Sequence, residues 1–446
     1  MRGKRVLLVG LLAAGAVVPI LARVVPPTPA PSSPPSLSLP IRWVRGAEPA
    51  GPEGLSRMRS GLLWALSNLG ALPPREVESF LRDVVETPEG ARFTLDLAAA
   101  GFPVRARAAL ARAIEPLRAS DELSLHGAVD AGRFLMATVH QPWRYYEITL
   151  ACSSLEDWKA RHLHPAADTY AVTLSQLTTG HRRVLVNPVP PDETSVSGIA
   201  FLAAEGTGSL ADGTFQAQEL ETLDVMPNGQ QRFALYGLDG ALKPAASPDL
   251  TPAGQPGKCQ WCHEMRLQLG TPANPAAAGS LTTASFQERI HLFQDRIERY
   301  RRTLETSVDF ETYRVHQWAE EIVEEFLSPS PERLSREWSV PVGRVVSALS
   351  EAGLVPHRHP EFPAWGDLYR RADADRVFER LLPELAGTPG HPLFGRAVAS
   401  YRPVAVLPSA RETVPELLAL DGSEAVERLL RCGAPVRPAP PAPAPR

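Results

Sequence analysis

Charge of one sign is what this sequence lacks: 46 lysines and arginines stand against 50 aspartates and glutamates, a formal net charge of -4 at pH 7. Polyanions draw proteins in through a basic surface, so neither nucleic acid nor anionic lipid is expected as a partner. Long apolar runs are missing beyond the N-terminus, which leaves no second membrane-spanning candidate. No glycine-rich phosphate loop follows a strand pattern, and Ser195-Val196-Ser197-Gly198 lacks the preceding glycine of a nucleophile elbow. Nucleotide chemistry and serine hydrolysis therefore have no support. Cysteine is scarce, with four residues, and only one Cys-x-x-Cys occurs. No second pair and no His-x3-His accompanies it, so a four-ligand zinc site cannot be assembled locally.

That one pair lies in Cys259-Gln260-Trp261-Cys262-His263. Thiols three positions apart project to one side of a helical turn, with an imidazole next in line. Both sulfurs can then add across the vinyl groups of a haem. The pentad resembles the haem-attachment site of c-type cytochromes. The resemblance implies one covalent haem c, thioether bonds at Cys259 and Cys262, and His263 as the proximal iron ligand. It covers five residues, so it names a cofactor and no fold. Other chemistry uses the same atoms. A thioredoxin-like dithiol would activate its first thiol at a helix N-terminus, but in that family the tryptophan usually precedes the first cysteine, and here Trp261 lies between the two. A plain disulfide is the remaining alternative.

Small monohaem cytochromes usually supply a methionine well downstream as sixth ligand, whereas the last methionine here is Met265. Candidate distal ligands are His316 at the margin of a helical stripe, Met226 at a hairpin end and His291, which the helical step turns toward water. An open position is the other possibility. Lys258 and Arg266 flank the pentad and are candidates to meet the haem propionates.

Haem attachment to thiols takes place outside the bacterial cytoplasm, and the N-terminus is consistent with export. Arg2, Lys4 and Arg5 precede an apolar run from Val6 to Ala22, so residues 1–23 read as a signal peptide or membrane anchor. Residues 24–53 are a proline-rich spacer, and 433–446 repeat that composition as a disordered tail. Between them the expected class is α+β. Residues 54–121 read as helical, with a second helix opening at Arg75 and lined by Val77, Phe80, Leu81, Val84 and Val85. Residues 122–245 read as an antiparallel sandwich or barrel of seven short strands, including Arg133 to Val139 and Tyr145 to Leu150, with one helix from Leu155 and hairpin turns at Asn228-Gly229 and Asp239-Gly240.

Residues 246–328 read as the haem-attachment segment, hung from a loop, followed by an antiparallel helical pair. Phe286, Ile290, Phe293 and Ile297 line the first helix, and Val308, Val315, Ile322 and Phe326 the second. Residues 329–432 read as a mostly helical C-terminal region. Leu334 to Leu354 resembles a helix-turn-helix, better taken as a helical hairpin packed by Trp338 and Val345, since a basic excess is missing. His140, His162, His164 and His181 read as solvated loop histidines rather than metal ligands. Cys152 reads as a buried small residue, with a bridge to Cys432 the lesser alternative.

The expected function is single-electron transfer or redox sensing in the periplasm with an unidentified redox partner, and with a possible membrane tether through the N-terminal segment. A five-coordinate haem enzyme or gas sensor is one alternative. An exported structural or interaction protein whose cysteine pair is a disulfide or thiol-exchange couple is another.

Overall fold

The structure, a computed structural model, describes residues 37–396 apart from 47–51, 88, 173–180, 211, 248–249, 251–253, 264–265, 268–279, 313 and 361. The fold is α+β. The N-terminal signal or anchor, most of the proline-rich spacer, and the tail with Cys432 lie outside the described residues.

Strand formation begins inside the stretch expected to be spacer. In β1 (Ser38–Val44), Leu39, Ile41 and Trp43 alternate inward and are buried. Helix α1 (Pro52–Asn68) matches the predicted stripe, with Met58, Leu62 and Leu66 in the main core. The expected second helix at Arg75 is instead a short turn and then β2 (Leu81–Thr87), paired antiparallel with β3 (Gly90–Asp96). Val84 and Val85 face water. Their helix-like spacing is outweighed by pairing with β3, whose Ala91, Phe93 and Leu95 alternate into the core. β1 completes the sheet beside β3 and runs parallel to β4 (Val129–Asp130), for a strand order β2-β3-β1-β4.

Helices α2 (Arg107–Arg118) and α3 (Asp121–His126) precede β4. Two predicted strands are then helices: α4 (Ala131–Thr138) and α5 (Pro142–Thr149). Their N-termini explain it. Asp130 accepts from the Gly132 amide at 2.8 Å, and the Gln141 side chain accepts from the Arg144 amide at 2.6 Å. Pro142 takes the first helical turn, where its missing N–H costs nothing. Both helices are buried on nearly every side, so their apolar runs carry no periodicity to distinguish them from strands. Helix α6 (Leu155–His162) lies where expected.

The remaining five predicted strands form one open antiparallel sheet, β5 (Asp168–Val172), β6 (His181–Val186), β7 (Ala200–Thr207), β8 (Gln216–Val225) and β9 (Gln231–Tyr236), in sequence order. Since β5 and β9 are edges rather than partners, the sheet does not close as a barrel, and its faces are covered by helices rather than by a second sheet. Leu202, Ala234 and Tyr236 join the main core on one face, while Phe201, Leu223 and Phe233 form a second core on the other. Gly229 and Gly240 occupy the two predicted hairpin turns with φ of 79° and 80°.

Beyond the pentad helix α7 (Pro256–His263), α8 (Thr283–Arg302) lays Phe286, Ile290, Phe293 and Ile297 across that second core. Phe286 stacks on Tyr170 at 3.9 Å between ring centroids. Helix α9 (Val315–Leu327) packs elsewhere, into the main core against α1. The expected α8–α9 pair is therefore not what buries either seam. Gly61 in α1 decides this, because a Cβ there would collide with the Trp318 and Ala319 backbone, and its absence lets α9 approach closely. Helices α10 (Pro331–Trp338), α11 (Val342–Glu351) and α12 (Arg371–Gly387) share a third core that includes Trp338, Val345 and Phe378, as the helical-hairpin reading predicts. No described helix is long and apolar enough to cross a membrane.

Candidate functional site

The pentad forms the C-terminal end of helix α7, in keeping with the helical turn that its spacing predicts. Gln255 precedes it, and its side-chain amide lies 3.1 Å from the Nδ1 of His140. His140 is buried, so it is not the solvated residue expected. Gly257 rests on the Val139 carbonyl, where a Cβ would clash. One turn on, the Cys259 thiol donates to the Gln255 carbonyl at 3.9 Å. Cys259 and His263 are four positions apart, which puts both on one face of α7. The side chains of Lys258, Trp261 and Cys262 lie outside the described residues.

Helices α5 and α7 together cover the free edge of β9. The hydroxyls of Tyr145 and Tyr146 accept from the outward amides of Phe233 and Leu235 at 3.2 and 3.1 Å. The Gln260 side chain donates to the Gln231 carbonyl. The amides of Phe233 and Leu235 and the Gln231 carbonyl are thus satisfied by side chains, and the Leu235 carbonyl accepts from the Lys243 amide at 2.8 Å, which keeps this edge from pairing with another strand. The His263 ring packs on Phe233, 4.9 Å between centroids.

His263 is held neutral. Burial is the larger cause and the Arg182 guanidinium adds to it, together lowering its pKa to about 4. Its Nδ1 is buried without a hydrogen-bond partner among the described residues, as are both amide atoms of Gln231 and the Oε1 of Gln260. One helical turn beyond the Cys259 thiol, the chain thus holds an uncharged imidazole.

The three candidate sixth ligands lie on three different elements. His316 is buried on α9, 6.2 Å from Trp64 between ring centroids. Met226 is buried at the β8–β9 turn, with Sδ beside Gly70. His291 is exposed on α8, as its helical phase predicts. Arg266 is exposed, and its amide donates to the His263 carbonyl at 2.6 Å.

Cys152 departs from expectation. It is buried, as predicted, but it is disulfide-bonded and follows a helix instead of a strand. Its partner lies outside the described side chains. Four cysteines and a thiol at Cys259 leave Cys262 and Cys432 as the residues from which that partner comes.

An ion cluster on the same sheet face was not anticipated. Glu205, Glu219 and Glu221 bring carboxylate oxygens within 4.8 Å of one another. Arg182 pairs with Glu205 and lies 3.5 Å from Glu221, while the Nζ of Lys243 is 2.7 Å from Glu219. Burial first, and the neighbouring glutamates next, raise Glu205 to about 8 despite Arg182. Two cations and a retained proton balance three carboxyls, so the cluster reads as a buried ion network. Its signal in the sequence was the alternation Phe201, Ala203, Glu205 and Glu219, Glu221, Leu223, which puts acids on an inward face. Of the other histidines, His162 is half-buried against Trp158, His164 is an exposed loop residue, and the His181 side chain lies outside the described residues. No family model, curated protein or solved structure matches this chain.

Proposed function

We propose that this chain is an extracytoplasmic c-type haem protein, with one haem attached through Cys259 and Cys262 and His263 as proximal ligand, serving single-electron transfer or redox sensing. The observation that carries the reading is His263: half-buried, neutral at physiological pH and with its Nδ1 unpartnered among the described residues, on the same helical face as the Cys259 thiol. Haem, when bound, supplies a one-electron iron couple. The chain's own part is to hold the imidazole uncharged, to keep water from it by packing on Phe233, and to place the positive charge of Arg182 nearby. A redox partner in the periplasm and a tether through residues 1–23 belong to the same proposal.

The test is a pyridine haemochrome spectrum of the chain produced with cytochrome c maturation machinery, beside a Cys259→Ala, Cys262→Ala control. A c-type band in the first and none in the second is the expected result, and no haem in either rejects the reading. Carbon monoxide binding to the reduced protein then separates an open sixth position, suited to a gas sensor or peroxidase-like enzyme, from a six-coordinate carrier.

The Cys152 disulfide favours a second reading, an exported interaction protein with structural sulfur chemistry. Peptide mapping without reduction distinguishes the two. A bridge from Cys152 to Cys432 leaves both pentad sulfurs available to haem, whereas a bridge to Cys262 persisting in the mature protein rules out two thioethers.

A further inference from the structure

A cavity of 490 Å³ opens between α1 and the edge strand β2, with Met58, Leu63, Leu81, Val84 and Phe93 among the residues that line it. Such a volume suits a small organic ligand. Two features of the sequence leave the space. Ser56 and Ser60, four apart on one side of α1, are small where an apolar side chain would fill it. Leu81 and Val84, three apart, would point to opposite faces of a regular strand. The register shift between Arg82 and Val85, where Asp83 takes a φ of 54°, brings both to the same cavity. Val84 is 50% exposed because that cavity is open on its side.

Polar groups mark the floor and the rim. Ser307 reaches the cavity from the loop after α8, held by its amide, which donates to the Pro73 carbonyl at 3.1 Å. The Ser307 hydroxyl is buried and has no hydrogen-bond partner among the described residues. Buried hydroxyls are normally bonded, and this one can either donate to a ligand or accept from it. At the rim, Arg59 and Glu78 lie 3.5 Å apart and compensate each other, while Glu86 is exposed. One arginine against two glutamates does not attract an anion, and the apolar floor penalises any charge brought into it.

We propose that this cavity binds a small neutral molecule with a flat apolar body and one hydroxyl, the body against Leu63, Val84 and Phe93 and the hydroxyl bonded to the Ser307 Oγ. Apolar walls including an aromatic ring favour a flat body, and a single polar contact fixes which end goes in first. The site does not depend on the haem reading, since none of its groups belongs to the pentad.

Titration of the purified full chain with 2-naphthol by isothermal calorimetry tests it. Saturable binding of one equivalent is expected, weakened about fivefold in Ser307→Ala, where one hydrogen bond is lost. Ser56 is exposed, so Ser56→Trp should fill the cavity and abolish binding while keeping the thermal midpoint of the parent. The anion 2-naphthoate, of similar shape, should bind about tenfold more weakly than 2-naphthol. Absence of saturable heat up to the solubility of 2-naphthol, unchanged affinity in either variant, or 2-naphthoate binding as tightly as 2-naphthol would each overturn the proposal.

Discussion

Glu205 is 1% exposed and shares its sheet face with Glu219, Glu221 and Arg182. Its pKa in the folded state, about 8, lies above the ordinary carboxyl value, so the folded chain holds a proton that the unfolded chain releases. The stability this contributes is complete below the unfolded pKa and is lost as pH rises through about 8. Wild-type stability should therefore fall between pH 5 and pH 9, and Glu205→Gln should remove about 1–3 kcal/mol of that fall. Urea unfolding at the two pH values measures it, and parallel losses in both proteins would show that Glu205 stays ionised beside Arg182. At this scale the sequence was most legible at Cys259 and His263, because their spacing alone puts them on one helical face. It was least legible at Cys152, because a disulfide depends on where a distant residue ends up.

Helix α7 owes its place to one small residue. Gly257 sits on the Val139 carbonyl, and the α7 side chain of Gln260 then reaches the open edge of β9. Gly257→Ala should push the helix off α4 and cost about 1–3 kcal/mol. Cys259 should react faster with a thiol reagent, which stopped-flow labelling reads, and unchanged labelling and stability would mean that α7 docks by other contacts. Element type was legible where one face is wet, as in α8 and β6. It failed in α4 and α5, which are buried all round, and at β2, whose exposed Val84 and Val85 imitate a helical stripe.

The N-terminal sheet and the C-terminal helices are joined by buried charge. Arg333 of α10 lies 2.6 Å from Asp130 of β4 and 2.7 Å from Glu337, and Arg371 of α12 lies 2.6 Å from Glu337. Arg42 of β1 and Arg133 of α4 meet at Glu122, at 3.1 and 2.6 Å. Arg371 and Arg333 hold Glu337 well below the ordinary carboxyl range against the opposing cost of burial. Removing one member leaves the others buried and uncompensated. Arg333→Met should accordingly cost about 3–5 kcal/mol. Urea unfolding should show that loss, and limited proteolysis should show earlier release of the C-terminal helices. A loss within about 0.5 kcal/mol, the range of an ordinary surface substitution, would mean that the apolar cores carry the join alone.

By itself the sequence determined the α+β class, the phase of the amphipathic helices, the hairpin turns and the thiol–imidazole spacing of the pentad, because each follows from covalent geometry or local periodicity. Only the tertiary structure decided that the second sheet stays open, that α8 and α9 go to different cores, and that acids and arginines meet in the interior. These depend on which faces become buried together, and a residue's position along the chain does not carry that information.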